Sequence, residues 1–334
     1  MIGSLFGVQR LRLPEAQFMR EKIPIFFSCD DNYIPCLAVA IRSIIENASK
    51  SYTYNIHVLN TSISEKCRES ILALMEDGFE ISFIDVSKSV ARLGKKLHLR
   101  DYYTASIYFR IFIPEMFPQY KKAIYLDSDI VVNADISTLF NTDISDCLVG
   151  AVEDQIVSAT PEFVDYVDRF VGVKVPYYFN SGVLLMNLEA MRDCRLEKRF
   201  IDLMNEHHLD TVAPDQDYLN ALCKGQVLYL DIGWNKMSFN KDYDGVPHIV
   251  HYNMFLKPWH KEGVCYEELF WHYAKKTAFL AELTEFRATF SEEEMQKKLS
   301  GAAALLNTAR TLTDSEPSFK SVLSSGAREE AVIC

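Results

Sequence analysis

The 334-residue chain has few glycines, no closely spaced pair of cysteines and no long apolar run. With only 13 glycines and neither a G-x-G-x-x-G nor a G-x-x-x-x-G-K-S/T motif, no loop can hold phosphates through backbone amides alone. The eight cysteines include no C-x-x-C pair, which argues against a disulfide framework or a zinc site and is typical of a cytoplasmic protein. The longest apolar stretch, Ile34–Ile41, is far shorter than the roughly 20 residues of a transmembrane helix. We therefore expect a soluble cytoplasmic protein.

Positive charge is in short supply as well. The chain has 35 Lys and Arg against 46 Asp and Glu, so its formal net charge is −11. Such a chain repels the phosphates of nucleic acids and of anionic lipids unless a bound cation reverses the sign locally. We expect no nucleic-acid partner and at most peripheral contact with a membrane. What the chain does have is 49% hydrophobic residues, enough for a large buried core.

The hydrophobic pattern from Ile23 onwards predicts an α/β fold. Short apolar runs alternate with segments of helical periodicity, as in the crossover units of a mainly parallel, doubly wound sheet. The predicted strands are Ile23–Cys29, Asn55–Asn60, Ile81–Val86, Ala123–Leu126, Leu148–Val152, Gly182–Asn187, Val227–Asp231 and Ile249–Tyr252. The predicted helices include Thr104–Phe117, Glu189–His208, Pro214–Leu222 and Cys265–Leu283. Ligands bind such sheets at the carboxyl ends of the strands, where Asp30–Tyr33 follows the first strand.

The composition divides the chain into three parts. Residues 1–22 form a short leader that lacks the basic start of a signal peptide, and residues 23–283 form the α/β domain. In residues 284–334 the composition shifts to Ala, Ser, Thr and Glu, which indicates an appended helix from about Ser291 and then a frayed tail. We expect the chemistry to lie in the middle part.

Two carboxylates, Asp127 and Asp129, directly follow a predicted strand. Side chains two residues apart on an extended chain point to the same side, so the pair can hold one hard cation such as Mg²⁺ or Mn²⁺, shared with the phosphates of a substrate. The same spacing recurs at Asp215/Asp217 and at Asp242/Asp244, so the motif is weak evidence when taken alone. We interpret Asp242/Asp244 as a solvated surface pair, whereas the apolar strand before Asp127 favours a functional site there.

A second group lies at the end of the predicted strand Ile249–Tyr252 and just after it. His251, as a neutral imidazole, can complete a metal site, and Lys257 offers a compact positive charge suited to a diphosphate. The alternative is a packed histidine and a lysine whose stem lies along apolar surface. On the residues alone both interpretations stay open.

Polar residues also interrupt apolar segments at Asn180-Ser181-Gly182 and at Asp215-Gln216. Their side chains can bind the hydroxyls of a sugar, or else Asn180 is a turn residue and Asp215 caps a helix. Arg110 lies on an otherwise apolar predicted helix and therefore needs an anionic partner, either a structural carboxylate or a ligand.

Taken together and in this order, six segments resemble glycosyltransferase family 8, which includes bacterial lipopolysaccharide galactosyl- and glucosyltransferases and has glycogenin as a relative. The segments are Phe26–Tyr33, Tyr108–Arg110, Tyr125–Asp129, Tyr178–Leu184, Asp215–Asn220 and His251–Trp259. The resemblance spans about residues 23–283. It implies a GT-A fold, a nucleotide-diphospho-sugar donor that is usually a UDP-hexose, a divalent Mn²⁺ ion, and transfer with retention at the anomeric carbon.

The resemblance also implies a role for each matching residue. Asp127, Asp129 and His251 would bind the metal, and Asp215, Gln216 and Asn180 would serve catalysis, with Gln216 nearest the reacting carbon. The residues that would contact the nucleotide-sugar are Ser28, Asp30, Asn32, Tyr33, Arg110, Asp127, Ser128, Asp129, Asn180, Ser181, Asp215, Gln216, His251 and Lys257. Met254 stands where the family commonly has glycine, and we expect its side chain to alter that loop or to weaken donor binding.

Two other functions are compatible with some of these residues. A strand that runs into D-x-D-x-V is also the signature of haloacid-dehalogenase-type phosphatases, in which Asp127 would be the nucleophile and Asp129 the general acid and base. That interpretation gives no role to His251 or Lys257. The non-enzymatic alternative is a module that binds sugar nucleotides and whose catalysis has decayed at Met254.

The expected mechanism follows from the amide of Gln216. Retaining hydrolases use a carboxylate nucleophile, so an amide near the reacting carbon favours a front-face mechanism in which the leaving phosphate deprotonates the acceptor. The donor would be UDP-glucose or UDP-galactose and the acceptor a hydroxyl of a glycan or glycolipid. The motifs hold more carboxylates than cations, and we therefore expect an acidic pocket in which the donor binds only with its metal. The carboxylates of the motifs are Asp30, Asp31, Asp127, Asp129, Asp215 and Asp217, and the cations are Arg110 and Lys257.

Overall fold

The computed structural model describes residues 20–93 and 105–326, and it confirms the predicted mixed α/β class. The strands in these ranges are β1 Glu21–Ser28, β2 Tyr52–Asn60, β3 Phe79–Asp85, β4 Lys122–Leu126, β5 Ile130–Val132, β6 Val149–Glu153, β7 Phe179–Asn187, β8 Val227–Tyr229, β9 Lys236–Met237 and β10 Ile249–His251. The α-helices are α1 Ile34–Asn47, α2 Glu65–Leu72, α3 Ser87–Val90, α4 Ile113–Met116, α5 Ile136–Phe140, α6 Gln155–Ser158, α7 Pro161–Tyr166, α8 Leu188–Asp193, α9 Leu196–His207, α10 Pro214–Leu222, α11 Glu267–Ala274, α12 Leu280–Thr289, α13 Glu292–Leu312 and α14 Phe319–Gly326. The 3₁₀ turns are Asp31–Tyr33, Ala91–Leu93, Ala105–Phe112 and Ile232–Asn235, and a π-helical turn spans Val167–Val171.

The main sheet has seven strands in the order β3-β2-β1-β4-β7-β6-β8. Its neighbouring strands are parallel except β7, which runs antiparallel to both β4 and β6. Because of this reversal, the first residues of β7 lie beside the last residues of β4. Leu126 is opposite Val183, and the Asp127 amide donates to the Gly182 carbonyl at 2.8 Å. The segment Asn180–Gly182, which is the start of a strand and not a turn, therefore lies next to Asp127.

A second sheet of three short strands, in the order β5-β10-β9, places His251 beside Asp129. Strand β10 is antiparallel to β5, with His251 opposite Ile130, and parallel to β9. The Tyr252 amide donates to the Asp129 carbonyl at 2.9 Å and extends this pairing by one residue. Strands β5 and β9 were not predicted, because two or three residues are too few to show an alternating pattern.

Apolar side chains form one buried cluster on each face of the main sheet. Ile25 and Phe27 belong to one cluster and Phe26 to the other, as the alternation of side chains along a strand requires. Helix α1 buries most of its residues in the first of these clusters. The core thus anchors both sides of the strand end at which Asp30 lies.

The C-terminal helices α13 and α14 pack into the core cluster that contains Phe26. A capping box of Ser291 and Glu294 starts α13, and Leu305 and Phe319 are buried. Residues 319–326 therefore form a packed helix where the composition predicted a frayed tail, because an apolar face was hidden among small polar residues. Residues 1–19 of the predicted leader and 327–334 of the tail lie outside the described residues. Within the part of the chain that the structure describes, no helix is long and apolar enough to cross a membrane.

Two long predicted helices are each divided in the structure. Arg195 has a φ of 53°, in the left-handed region, and separates α8 from α9 within the predicted helix Glu189–His208. The predicted helix Cys265–Leu283 is divided between α11 and α12. The Thr277 side chain ends the first of them, since its hydroxyl donates to the Ala274 carbonyl at 2.9 Å and accepts from the Phe279 amide at 3.2 Å.

The predicted helix Thr104–Phe117 is a 3₁₀ segment over Ala105–Phe112 followed by the short helix α4, and Thr104 itself lies outside the described residues. Pro114 lies in the first turn of α4, where its missing N–H costs nothing. The 3₁₀ segment carries Arg110, whose side chain is buried.

Candidate active site

A cleft opens at the carboxyl ends of β1 and β4, where the topology predicts a ligand site. Its walls come from the turn after β1, the segment Ala105–Phe112, the residues after β4 and the loop from Met254 to Lys257. Helix α13 adds Lys298 and Leu305. The predicted donor contacts that lie on this wall are Ser28, Asp30, Tyr33, Arg110, Asp127, Ser128, Asp129 and Lys257.

Asp127, Asp129 and His251 form one compact group beside the cleft. One ligand atom from each lies within 4.8 Å of the other two. Nε2 of His251 is 3.3 Å from Oδ1 of Asp129 and 3.8 Å from Oδ2 of Asp127. The three side chains predicted to bind a metal are therefore brought together in space.

Hydrogen bonds behind His251 determine which of its nitrogen atoms faces this group. Nδ2 of Asn235 donates to Oδ1 of Asn180 at 2.9 Å, so Oδ1 of Asn235 is the atom 3.0 Å from Nδ1 of His251. Nδ1 must then carry the proton, and the lone pair of Nε2 faces the two carboxylates. A neutral imidazole in this orientation can bind a metal ion through Nε2.

Gly182 keeps the space between these side chains open. A Cβ atom on Gly182 would lie 2.3 Å from Cε1 of His251 and 2.6 Å from Oδ2 of Asp127, closer than real Cβ atoms approach other atoms. The glycine is thus required by the side chains that face it and not by its backbone conformation.

Lys257 is buried and paired with Asp129. Its Nζ contacts Oδ2 of Asp129, donates to the Tyr252 carbonyl at 2.9 Å and lies 5.7 Å from the centroid of the Tyr33 ring. Burial by itself would lower the pKa of Lys257, but the charge of Asp129 outweighs it and raises that pKa. Burial likewise opposes ionisation of Asp129, yet the charge of Lys257 lowers its pKa. The ammonium group is charged and lies inside the site, so the interpretation of an apolar surface lysine does not apply.

Arg110 is buried between two carboxylates. Its Nη2 donates to Oδ1 of Asp127 at 3.0 Å, its Nε lies 3.2 Å from Oδ2 of Asp215, and its Nη1 donates to the Ser181 carbonyl. Its Cζ lies 4.3 Å from the centroid of the Tyr125 ring. Burial would lower the pKa of Arg110, but Asp127 and Asp215 raise it. Arg110 thus has structural carboxylate partners and also lies on the cleft wall.

Asn180, Ser181 and Gln216 belong to a buried network centred on Asp154. Oδ2 of Asp154 accepts from Nδ2 of Asn180 at 3.1 Å and from Nε2 of Gln216 at 3.0 Å. Oε1 of Gln216 accepts from the Ser181 amide at 3.0 Å and from Nδ2 of Asn180 at 3.1 Å. The Ser181 hydroxyl donates to Oδ2 of Asp215 at 2.9 Å, and burial raises the pKa of Asp215. These side chains lie directly behind the cleft wall, in fixed orientations.

The residues predicted to hold the uridine lie at the end of β1. Oδ1 of Asp30 accepts from the Asn32 amide at 3.1 Å and caps the 3₁₀ turn that follows. This turn places Tyr33 on the wall and leaves Asn32 exposed to solvent, off the wall. The Ser128 hydroxyl donates to the Ser28 carbonyl at 3.0 Å and connects the end of β4 to the end of β1.

The expected excess of carboxylates in the cleft is wrong. Asp31 points away and accepts from the Ser64 amide at 2.9 Å, while Asp217 is fully buried and accepts from the hydroxyls of Tyr166 and Tyr178. The negative charge of Asp215 is balanced by its ion pair with Arg110. Among the described residues, the charged side chains of the cleft wall are Asp30, Asp127, Asp129, Arg110, Lys257 and Lys298. Carboxylates and cations therefore balance there.

Met254 has a φ of 56°, in the left-handed region. Glycine adopts this conformation without strain, whereas the side chain of a methionine makes it unfavourable. In this chain the methionine side chain lies on the cleft wall. The exposed pair Asp242/Asp244 lies on the surface, as predicted.

Asp154, Asn235 and Lys298 are site residues that the sequence reasoning missed. Asp154 lies just after β6, and its place after a predicted strand is the same signal that selected Asp30 and Asp127. Asn235 ends a 3₁₀ turn and Lys298 lies on a helix expected outside the domain, so no local pattern marks them.

A match to a protein-family model shows which family the chain belongs to. Residues 24–263 match the family model described as Glycosyl transferase family 8. The chain belongs to glycosyl transferase family 8. It is therefore a glycosyltransferase, and the phosphatase interpretation is set aside.

Similar proteins agree with this membership. General stress protein A of Bacillus subtilis (strain 168) is 27% identical over 281 residues, which cover 77% of this chain and 95% of that protein. The lipopolysaccharide 1,2-glucosyltransferase of Escherichia coli (strain K12) is 23% identical over 260 residues, 73% of this chain and 75% of that enzyme. A crystal structure of the galactosyltransferase LgtC in complex with donor and acceptor sugar analogues has a TM-score of 0.61 and 26% identity, and the match covers 83% of this chain and 100% of LgtC. Like LgtC, this family 8 protein has the GT-A fold.

Proposed function

We propose that this family 8 protein is a retaining hexosyltransferase that moves glucose or galactose from a UDP-sugar to a hydroxyl of a glycan or glycolipid. The proposal is carried by the group of Asp127, Asp129 and His251, placed on a cleft that also presents Lys257 and Tyr33. The similarity to a lipopolysaccharide glucosyltransferase and to a galactosyltransferase supports a hexose donor and a cell-surface glycan such as lipopolysaccharide as product. The described cysteines are free thiols, which supports a cytoplasmic location.

The donor atoms suit Mn²⁺, with Mg²⁺ as the alternative ion. Two carboxylates favour a hard cation, and the added imidazole favours Mn²⁺ because Mg²⁺ prefers oxygen ligands. The absence of a Cβ on Gly182 leaves room between His251 and Asp127, so the residues fit an ion. When bound, the ion neutralises charge on the diphosphate of the donor.

Residues of the chain itself would orient the donor. Ser28, Asp30 and Tyr33 would hold the uridine at the end of β1, with Asn32 at the rim, and Lys257 would bind the diphosphate. Because Lys257 is held by two partners, its charge needs no rearrangement to stabilise the developing negative charge of the leaving group.

The sugar would lie against Arg110 and the residues of the Asp154 network. The carboxylate of Asp215 is held by Arg110 and the Ser181 hydroxyl and is a poor nucleophile in that state. We propose that Gln216 comes nearest to the anomeric carbon. The acceptor hydroxyl then attacks from the face that UDP leaves, and a phosphate oxygen of UDP takes the proton of that hydroxyl.

A donor screen tests this function. Purified protein is incubated with UDP-glucose or UDP-galactose and Mn²⁺, with and without EDTA, and the released UDP is measured. We expect release that EDTA abolishes and that Asp127→Ala lowers about 100-fold, since metal-assisted charge stabilisation supplies several kcal/mol. The control Asp242→Ala removes a carboxylate from the exposed pair and leaves release unchanged.

Each other result has a distinct meaning. Release of inorganic phosphate would support the phosphatase, and UDP binding without any release would support the decayed binding module. Full activity of Asp127→Ala would refute the metal site. A glycosyl adduct on Asp215 or Asp217, detected by mass spectrometry, would refute the front-face mechanism.

A further inference from the structure

Helix α13 contributes to the cleft although it lies beyond the matched family region. The family match ends at residue 263, whereas α13 begins at Glu292. Lys298 and Leu305 of this helix lie on the same wall as Lys257. The cleft of this chain is therefore completed by a segment that the family model does not cover.

Aromatic stacking holds the start of this helix against the loop that carries Lys257. The His260 ring stacks on Phe290 with centroids 4.3 Å and planes 11° apart, and on Phe286 at 5.7 Å. The His260 amide donates to the Lys257 carbonyl at 2.9 Å, and Nζ of Lys298 lies 5.9 Å from the centroid of the Phe290 ring. The position of Lys298 at the cleft is thereby tied to that of Lys257.

Lys298 differs from the other cations of the described cleft wall because it forms no ion pair with a carboxylate of the described residues, although the negative charge of Glu294 acts on it. Arg110 is paired with Asp127 and Lys257 with Asp129. Glu294, one helical turn before Lys298, is occupied in the capping box, where its Oε2 accepts from the amide of the helix-capping serine at 2.7 Å and from its hydroxyl at 2.9 Å. The capping box thus leaves the ammonium of Lys298 available to a ligand.

The surroundings of Lys298 favour an anionic ligand. The side chain is half-buried, and burial together with the nearby charge of Lys257 lowers its pKa. Two ammonium groups on one cleft wall repel each other, and an anion bound between them removes this repulsion. A diphosphate carries its negative charge on two linked phosphate groups, so it offers acceptor oxygens to more than one ammonium group.

We infer that Lys298 is a donor-binding residue of this chain, a second ammonium group that contacts the diphosphate together with Lys257. This inference rests on the proposed function, since it assumes that a nucleoside diphosphate occupies the cleft. It gives helix α13, which lies outside the matched family region, a part in donor recognition beside that of Lys257.

Equilibrium binding of UDP and of uridine, measured by calorimetry with Mn²⁺ present, tests this role. We expect Lys298→Gln to weaken UDP binding about tenfold, as for the loss of a hydrogen bond to a charged group, and to change uridine binding less than about twofold. Lys298→Arg keeps the charge and restores most of the UDP affinity. The control Lys297→Gln changes the neighbouring residue of the same helix, which is exposed and off the cleft wall, and leaves both affinities unchanged.

Two results would overturn the inference alone. The first is wild-type UDP affinity in Lys298→Gln. The second is an equal loss of UDP and uridine binding, which would indicate a structural role for the side chain. If the wild-type protein with Mn²⁺ does not bind UDP, the proposed function fails and the inference fails with it, so the two failures are distinguishable.

Discussion

At the scale of single residues, Asp154 orients two of the three side chains that we propose for catalysis, Asn180 and Gln216. Its Oδ1 accepts from the Ile156 and Val157 amides at 3.0 Å and caps α6, while its Oδ2 holds the amides of Asn180 and Gln216. Asn180 in turn accepts from Asn235, which orients His251, a proposed metal ligand. Because every member of this buried chain is satisfied, a change in one is passed to the next.

Replacement of this carboxylate should lower turnover more than donor binding. In Asp154→Asn an NH₂ group faces the NH₂ groups of Asn180 and Gln216, so one hydrogen bond to a charged group is lost and the Gln216 amide turns. We expect kcat to fall about 10- to 100-fold, since such a bond contributes about 1.5–3 kcal/mol, while KM for the UDP-sugar changes less than about threefold. Steady-state kinetics with a fixed acceptor measures both.

A matched control separates capping from orientation. Asp135 caps α5 in the same way, with its Oδ1 3.0 Å from the Ser137 amide, but its carboxylate binds the Ser49 amide instead of the amides of a site network. Asp135→Asn keeps a good cap and should leave kcat unchanged. Equal losses of kcat in the two variants, or a change in KM alone, would contradict the assigned role of Asp154.

At the scale of elements, the C-terminal helix α14 supports the helix that carries Gln216, the proposed catalytic amide. Phe319 of α14 is fully buried and packs edge-to-face on Tyr218 of α10 at 4.7 Å and on Phe170 at 5.8 Å. Helix α10 also bears Asp215 and Gln216. The C-terminal segment is therefore part of the same cooperative core as the site.

Truncation of this aromatic side chain should destabilise the whole domain. Phe319→Ala leaves a cavity against two aromatic rings, and we expect the free energy of unfolding to fall by about 3–5 kcal/mol in urea denaturation followed by circular dichroism. Leu299→Ala removes a 49% exposed side chain from α13 and should change it by less than about 1 kcal/mol. A loss of under about 1 kcal/mol in Phe319→Ala would show that α14 does not belong to the core.

At the scale of the whole molecule, the net charge of −11 is distributed away from the cleft. The cleft wall is balanced in charge, and one of the motif carboxylates, Asp217, is buried in the core instead. Asp217 accepts from the Val212 and Ala213 amides at 3.1 and 3.0 Å and from two tyrosine hydroxyls. Its burial raises its pKa from 3.8 to about 6.

This buried carboxyl should make stability depend on pH in a defined direction. Between the two pKa values the folded state binds more protons than the unfolded state, so the contribution of Asp217 is complete below pH 3.8 and is lost as pH rises through about 6. The loss amounts to about 3 kcal/mol. The free energy of unfolding of Asp217→Asn minus that of the wild type should therefore rise by this amount between pH 4 and pH 7. A difference that does not vary with pH would contradict the raised pKa.

The residues that sequence reasoning found share one physical property. Asp30 and Asp127 each follow an apolar run, and in a mainly parallel sheet such positions meet at one edge. Long helices were harder to bound, because Arg195 and Thr277 interrupt a helical pattern through backbone conformation and a side-chain hydrogen bond that periodicity does not show. The hydrophobic pattern predicted most of the β-strands, and the predicted ends differ from those in the structure by only a few residues.

By itself, the sequence determined the α/β class, the family and the three side chains of the proposed metal site, because these follow from local hydrophobic pattern and from residue types in a fixed order. Only the tertiary structure decided which of the similar carboxylates face the cleft. Asp215 and Asp217 have the same spacing as Asp127 and Asp129, but helix α10 turns Asp217 into the core and Asp215 toward Arg110. The reversed strand β7 and the packing of α13 bring distant residues to one edge of the sheet, and no local pattern encodes such contacts.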